Sequence, residues 1–312
     1  MTKAETRPLR IGTRASQLAL WQAEHVAGLI GSLEGAPSVE LVTIKTTGDL
    51  IADAPLSKVA GKGFFTKEIE RALLGEEVDV AVHSLKDLET RLPQGLTLPA
   101  VLEREDPRDV LIGPPHATLD TLPSGAVVGT SSLRRKAFLS HLRPDLEIRD
   151  LRGNVPTRIR KLRGGEYDAL ILAAAGVKRL GMDEHIAEFL PPDRIFPAVA
   201  QGAVAVQTRE DDQRTASWIT PLDHRETRLA TAAERALLRS LEGGCQVPVG
   251  GLATVRNGEI RLLAAVCSLD GKEVVEGAKS GPASDCELIG RTLAQDLLSR
   301  GGASILQSIR QQ

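Results

Sequence analysis

The chain has 312 residues, with 39 Lys and Arg against 41 Asp and Glu and a net charge of −2. That length exceeds one ordinary hydrophobic core and predicts two or three domains. The charge balance argues against a global attraction to nucleic acid or to an anionic membrane, and aromatics at 3% argue against base-stacking platforms. The first residues form no apolar h-region, and no stretch reaches the ~18 apolar residues of a membrane span, so a cytoplasmic protein is expected. Cys245, Cys267 and Cys286 form no CxxC pair and are odd in number, which argues against a disulfide framework or a zinc site, so no metal is expected.

Residues 9–13 read as a short strand, and Ser16 can cap a helix whose apolar positions Leu18, Trp21, Val26, Leu29 and Ile30 keep helical spacing. Residues 39–44 alternate as a strand. Thr66 opens a helix that Gly75 stops, and residues 78–82 form the next strand. Strands alternating with helices predict a mostly parallel sheet covered on both faces. Between residues 46 and 64 no period survives; loops this long are usually functional, and Asp49, Lys58 and Lys62 beside glycines 48, 61 and 63 read as a lid. The charged, proline-interrupted stretch 103–109 reads as a hinge.

A second α/β domain follows, with strands at 126–129, 146–149 and 168–172 and a helix at 156–162. Residues 195–202 read as a return crossing, after which 203–207 form a strand that rejoins the first domain. The tail changes character. A helix over 226–241 precedes the Cys245 loop, Asn257-Gly258 and Asp270-Gly271 mark hairpins, and a helix over 285–299 carries Cys286, Ile289, Leu293 and Leu297 along one face. Cys267 and Cys286 are expected in the core. The expected division is domain 1 over 1–104 and 200–222, domain 2 over 105–199, and a small α+β domain 3 over 223–312.

Several segments carry chemistry. Cys245 lies between Gly243-Gly244 and Pro248, on a tight loop that leaves its sulfur reachable. In the segment 129–135, a strand ends, Ser131 or Ser132 caps a helix, and Arg134 and Arg135 fall in its first turn. Cations there oppose the helix dipole at a cost of ~0.3–1 kcal/mol each, which makes sense if N–H groups, hydroxyls and guanidinium forks together bind an anion. Arg10 and Arg14 bracket the end of the first strand, and Arg152 and Arg158 flank another strand-to-helix turn. Cationic turns at the ends of parallel strands point to a ligand with several negative charges, carboxylate and phosphate being equally matched. Residues 60–64 lack the spacing of a nucleotide-binding phosphate loop. Asp87 follows a buried strand, where surrounding cations keep it ionised and able to stabilise a developing positive charge. His83 reads as a packing or hydrogen-bonding residue.

Together these segments resemble the porphobilinogen deaminase family. The matching motifs lie at 10–16, 58–63, 83–87, 103–109, 129–135, 151–158, 199–203 and 241–250, in family order. The resemblance implies two α/β domains like a two-lobed periplasmic solute-binding protein, with the small C-terminal α+β domain behind them. It implies a dipyrromethane cofactor joined by thioether to Cys245 and a stepwise condensation of four porphobilinogens, with loss of ammonia, to linear hydroxymethylbilane for tetrapyrrole (heme) biosynthesis. Each ring brings an acetate and a propionate, and by this resemblance Arg14, Arg134, Arg135, Arg152 and Arg158 hold them, assisted by Ser16, Lys86 and Ser132. Arg179 is a further carboxylate candidate. Asp87 is implied as the catalytic group, holding pyrrole N–H groups and stabilising the azafulvene left when ammonia departs. Rings are implied to sit between the first two domains, under the lid of Asp49, Lys58 and Lys62. A monomer that hands product to uroporphyrinogen-III synthase is also implied. The chain departs from the family at Leu88-Glu89, where Val-Pro or Leu-Pro is frequent, and at Pro156; neither change removes a charged group.

Two other readings use the same residues. A non-enzymatic two-lobed polyanion binder would need the arginines but not Cys245 or a third domain. A nucleic-acid binder using the arginine turns is disfavoured by the net charge and few aromatics.

Overall fold

The computed structural model describes residues 7–50, 65–241 and 247–311. In chain order these form β1 (Leu9–Thr13), α1 (Gln17–Gly31), β2 (Val39–Thr43), α2 (Thr47–Leu50), α3 (Lys67–Leu74), β3 (Val80–Ser84) and β4 (Leu96–Val101). Next come β5 (Asp109–Ile112), β6 (Val127–Gly129), α4 (Leu133–Leu142), β7 (Glu147–Arg149), α5 (Val155–Arg163), β8 (Ala169–Ala173), α6 (Ala174–Arg179) and β9 (Ile186–Phe189). The chain continues as β10 (Val204–Arg209), α7 (Gln213–Ile219) and α8 (Arg225–Ser240). It ends in β11 (Val249–Arg256), β12 (Glu259–Cys267), β13 (Val274–Pro282), α9 (Cys286–Leu297) and α10 (Ala303–Arg310). Among the described residues no helix is long and apolar enough to cross a membrane.

The described residues fall into two compact units: the first takes residues up to 104 together with 203–228, the second takes 105–202 and everything from 229 onward. In the first unit the strand order is β2-β1-β3-β10-β4. β1 runs parallel to β2 and β3, while β10 runs antiparallel to β3 and β4. The sheet is therefore mixed rather than mostly parallel, because β10 enters it between two strands laid down a hundred residues earlier. Alternation along β3 builds both of its faces. Val80 and Val82 join Ile11, Val26, Ile30 and Val206 on the α1 side, while Ala81 joins Ile69, Leu73 and Val78 on the α3 side. Each fully buried Val, Leu or Ile contributes about 1.5–3 kcal/mol relative to exposure.

Helix boundaries follow the capping logic of the sequence. Ser16 accepts a hydrogen bond from the Ala19 amide at the start of α1, and the Gly75 amide donates to the Arg71 carbonyl at the end of α3. The Ser16 cap fixes where the segment after β1 enters α1, and Gly75 fixes where α3 gives way to the segment leading into β3.

The second unit holds two sheets. One has the order β7-β6-β8-β5-β9, with β6 parallel to β7 and β8 and β5 antiparallel to β8 and β9. The pattern repeats that of the first unit, with the strand that arrives last or first from the crossing in the fourth place. The other sheet is an antiparallel β11-β12-β13 meander. Asn257 and Gly258, with φ of 52° and 79°, make its first hairpin turn, the two positive values that a two-residue turn of this hand requires. Ala233 and Leu237 of α8, Ile289 and Leu293 of α9, and Ile305 and Leu306 of α10 bury one face of this meander. Ala265 and Cys267 on its other face join Phe138 and Phe196. The turn at Gly271 sits against α4, its carbonyl 2.8 Å from His141 Nδ1, and a Cβ there would meet the His141 amide at 2.5 Å.

Candidate functional site

In the first unit, β3 ends at Ser84 and the chain makes one tight turn over Leu85–Asp87. Leu85 and Leu88 are buried, and the Leu85 amide donates to the Ala203 carbonyl at 3.0 Å, so the turn is anchored on both sides. Lys86 and Asp87 lie between these anchors, half-buried, at the C-terminal edge of the strand. Among the described residues the Asp87 carboxylate has no hydrogen bond or ion pair. It lines a pocket together with Arg14, Ser16, Gln22, Phe65, His83, Ser84 and Lys86. Arg14 follows β1 and stacks its guanidinium 4.1 Å over the Phe65 ring, a contact worth about 0.5–2 kcal/mol. Gln22 Nε2 donates to Ser84 Oγ at 2.9 Å. His83 is buried, and burial pushes its imidazole down from 6.5 to about 4 despite the Gln207 hydrogen bond, so the ring is neutral at pH 7.

Arg10, the other arginine of β1, is engaged elsewhere. Its guanidinium grips Asp79, with Nη2 2.8 Å from Oδ1 and Nε 3.0 Å from Oδ2. That bidentate pair removes Arg10 from the anion-binding set the sequence suggested.

In the second unit the organising group is Asp109, the first residue of β5 and 0% exposed. Arg134 Nη2 lies 2.8 Å from its Oδ2 and Arg135 Nη2 2.7 Å from its Oδ1, and Gln201 Nε2 donates to Oδ1 at 2.8 Å. Arg134 also donates to the Phe196 carbonyl, and Arg135 Nη1 to the Ile171 carbonyl at 3.1 Å. Burial works to raise the Asp109 carboxyl, but the charges of Arg134 and Arg135 hold it far below the usual carboxylate range. The two arginines at the start of α4 are thus turned inward, not presented bare at the surface. Ser132 caps that helix, accepting from the Arg135 amide at 3.5 Å.

This region keeps an excess of positive charge. Burial pushes the Arg158 guanidinium down to about 10, and the neighbouring charges of Arg135 and Arg152 add to that push. Arg158 Nε donates to the Gly153 carbonyl at 2.7 Å. Arg135 Nε is buried without a hydrogen-bond partner. Arg179 Nη2 donates to the Gly202 carbonyl at 2.7 Å, and burial lowers its guanidinium as well. One buried carboxylate among clustered guanidinium groups is an arrangement that a bound polyanion would relieve.

Cys267 and Cys286 are buried in the core, as their apolar settings suggested. Burial pushes the Cys267 thiol up to about 12 and raises that of Cys286, so neither is poised as a thiolate. Cys245, Lys58 and Lys62 lie outside the described residues; Asp49 falls in α2, and its side chain lies outside what is described. Sequence reasoning passed over Gln22, Phe65, Ser84 and Asp109. A glutamine on the buried stripe of α1 and one of the chain's few aromatics beside the glycine-rich stretch were the signals for the first two. Nothing local signals Asp109, whose partners lie 25 and more residues away.

Residues 9–217 match the family model described as porphobilinogen deaminase, dipyromethane cofactor binding domain, and residues 228–299 match porphobilinogen deaminase, C-terminal domain. The porphobilinogen deaminase of Syntrophomonas wolfei is 52% identical over 304 residues, covering 97% of this chain and 99% of that relative. Among solved structures, the periplasmic VFT2 domain of BvgS from Bordetella pertussis is 14% identical, with 68% of this chain and 85% of that one covered at a TM-score of 0.40. YhfZ from Shigella flexneri is 17% identical, with 77% and 93% covered at a TM-score of 0.38. The two family matches and the half-identical relative stand on the same stretches that hold the Asp87 turn, the arginine cluster and the Cys245 loop, and the chain belongs to the porphobilinogen deaminase family.

Proposed function

We propose that this chain condenses four porphobilinogens head to tail, releasing ammonia, to linear hydroxymethylbilane, and that Asp87 is its catalytic group. The observation that carries the role of Asp87 is its carboxylate, fixed at the C-terminal edge of β3 between buried Leu85 and Leu88, lining a pocket and lacking a partner among the described residues. When ammonia leaves the aminomethyl carbon, the C–N electron pair departs with nitrogen and positive charge develops on the pyrrole. A carboxylate held there accepts hydrogen bonds from the pyrrole N–H and stabilises that charge without reorganising.

The arginine cluster fits the dipyrromethane cofactor, whose two rings carry four carboxylates. Ser132, Arg134, Arg135, Arg152, Arg158 and Arg179 of the second unit, and Arg14, Ser16 and Lys86 of the first, are proposed to hold cofactor and substrate carboxylates. The buried unpartnered Nε of Arg135 and the mutual repulsion felt by Arg158 support that reading. When bound, the cofactor supplies the terminal pyrrole carbon to which the first substrate is joined. Its attachment is proposed at Cys245, since Cys267 and Cys286 are buried with raised thiols. Asp49, Lys58 and Lys62 are proposed as lid residues. The three-domain division, a monomeric state, a cytoplasmic site of action and hand-off of product to uroporphyrinogen-III synthase belong to the same proposal.

Intact-protein mass tests the attachment. Protein incubated with porphobilinogen is expected to gain two pyrrole units, and Cys245→Ser none; covalent pyrrole on Cys245→Ser would remove the assignment.

A further inference from the structure

A buried polar chain crosses the α3 face of the first unit's sheet. Gln207 is 0% exposed, and Glu70 and His83 are buried beside it. Gln207 Nε2 donates to Glu70 Oε1 at 3.1 Å, and Gln207 Oε1 lies 3.1 Å from His83 Nε2. The Gln207 amide nitrogen turns to Glu70 and its oxygen to His83, whose Nε2 then carries the proton. The ladder explains the reach. His83 pairs with Ala205 and Ala81 with Gln207, which makes His83 and Gln207 diagonal neighbours on one face. The register of β10 against β4 shifts between Val206 and Thr208, where Gln207 alone faces Leu98 and Pro99, so the extra residue lies in β4 opposite Gln207.

The surroundings of this chain are apolar, with Ile69, Leu73, Ala81 and Leu96 on the same face. Apolar side chains of similar volume would join helix to sheet at no greater cost. What the polar chain adds is fixed geometry, because three linked hydrogen bonding groups accept only one arrangement. Its His83 end lines the pocket, and its Glu70 end lies on the helix that follows the pocket residues Phe65 and Thr66. α3, which bears Glu70, begins directly after Phe65 and Thr66; β3, which bears His83, runs directly into Ser84, Lys86 and Asp87. We propose that Glu70, Gln207 and His83 form a positioning relay that sets the spacing between the pocket wall carrying Phe65 and the wall carrying Lys86 and Asp87. The proposal rests on the reading of Asp87 as the catalytic group.

Variants that keep or remove the hydrogen bonds at constant volume test it. Gln207→Met and Glu70→Leu remove bonds and are expected to lower kcat about 10- to 100-fold, the cost of a small misplacement, with the KM for porphobilinogen little changed. Glu70→Gln still accepts from Gln207, so it is expected to turn over close to wild type. A merely structural role would lower the melting temperature of the bond-removing variants without lowering the kcat of the folded protein. A folded Gln207→Met with normal kcat, or a Glu70→Gln as impaired as Glu70→Leu, would overturn the relay. Should the bond-removing variants fail to fold, loss of turnover in Glu70→Gln overturns it by itself. Asp87→Asn run alongside separates the two readings: normal turnover there defeats the role of Asp87, whereas normal turnover in Gln207→Met defeats the relay alone.

Discussion

The two five-stranded sheets share one strand order, yet they treat a carboxylate at a strand terminus in opposite ways. In the first unit, Asp87 lies at the C-terminal edge of β3, half-buried and without a partner among the described residues. In the second, Asp109 at the start of β5 is fully buried and held by Arg134, Arg135 and Gln201. The difference separates reactivity from scaffolding. On the role proposed for Asp87, a carboxylate that meets a substrate keeps its acceptor sites open, whereas Asp109 is engaged by two guanidinium groups and an amide. Arg134 and Arg135 share the one Asp109 carboxylate, which supports the proposal that the cluster takes up further negative charge.

Breaking the scaffold carboxylate has the largest expected effect. Asp109→Asn leaves buried guanidinium groups uncompensated and is expected to cost about 3–5 kcal/mol in denaturant unfolding. A variant as stable as wild type would show that the arginines do not depend on it. Asp109 also sets an acid limit: its folded carboxyl titrates below the ordinary value, so the stability it contributes is present above the usual carboxylate range and lost only as pH falls through the lower folded value.

Asp87→Asn should do the reverse. It is expected to reduce kcat about 100- to 1,000-fold, as loss of one electrostatic stabiliser does, while the melting temperature stays near wild type. A fall in stability with turnover intact would make Asp87 the scaffold group.

His83 sharpens the comparison from a third side. Its folded imidazole titrates near 4 against an ordinary 6.5, so the unfolded chain binds the extra proton first. Stability is full above about pH 6.5 and declines by roughly 3 kcal/mol as pH falls towards 4. His83→Gln is expected to flatten that part of the stability–pH curve, and an unchanged curve would place the loss elsewhere. The smallest effect is expected from Arg158→Leu, which removes one charge-assisted contact worth ~1.5–3 kcal/mol and should raise the KM for porphobilinogen or slow cofactor loading about 10- to 100-fold. Unchanged loading would put Arg158 outside the carboxylate-binding set.

Much of this architecture was legible in the sequence because it rests on local periodicity and caps. Ser16, Gly75 and Asn257-Gly258 announce a helix start, a helix stop and a hairpin, and each stands where its chemistry requires. The strands β4, β5 and β9 were not legible. β4 contains Pro99, β5 emerges from the charged stretch that reads as a hinge, and β9 is four residues long. The site was legible as a set of charged turns but not as partnerships. That Arg10 serves Asp79, or that Arg134 and Arg135 serve Asp109, depends on contacts 25 to 69 positions apart, which no window of sequence contains. Gln207 reads as one polar residue in an apolar strand until the ladder sets it beside His83.

The most direct test of the central claim follows pyrrole additions on the protein itself. Cofactor-loaded wild type and Asp87→Asn, mixed with limiting porphobilinogen, are sampled by intact mass over time. A wild-type ladder of single pyrrole increments, with Asp87→Asn loaded but stalled at the cofactor mass, is the predicted result. An Asp87→Asn ladder that advances at the wild-type rate would contradict the assignment of the chemistry to Asp87.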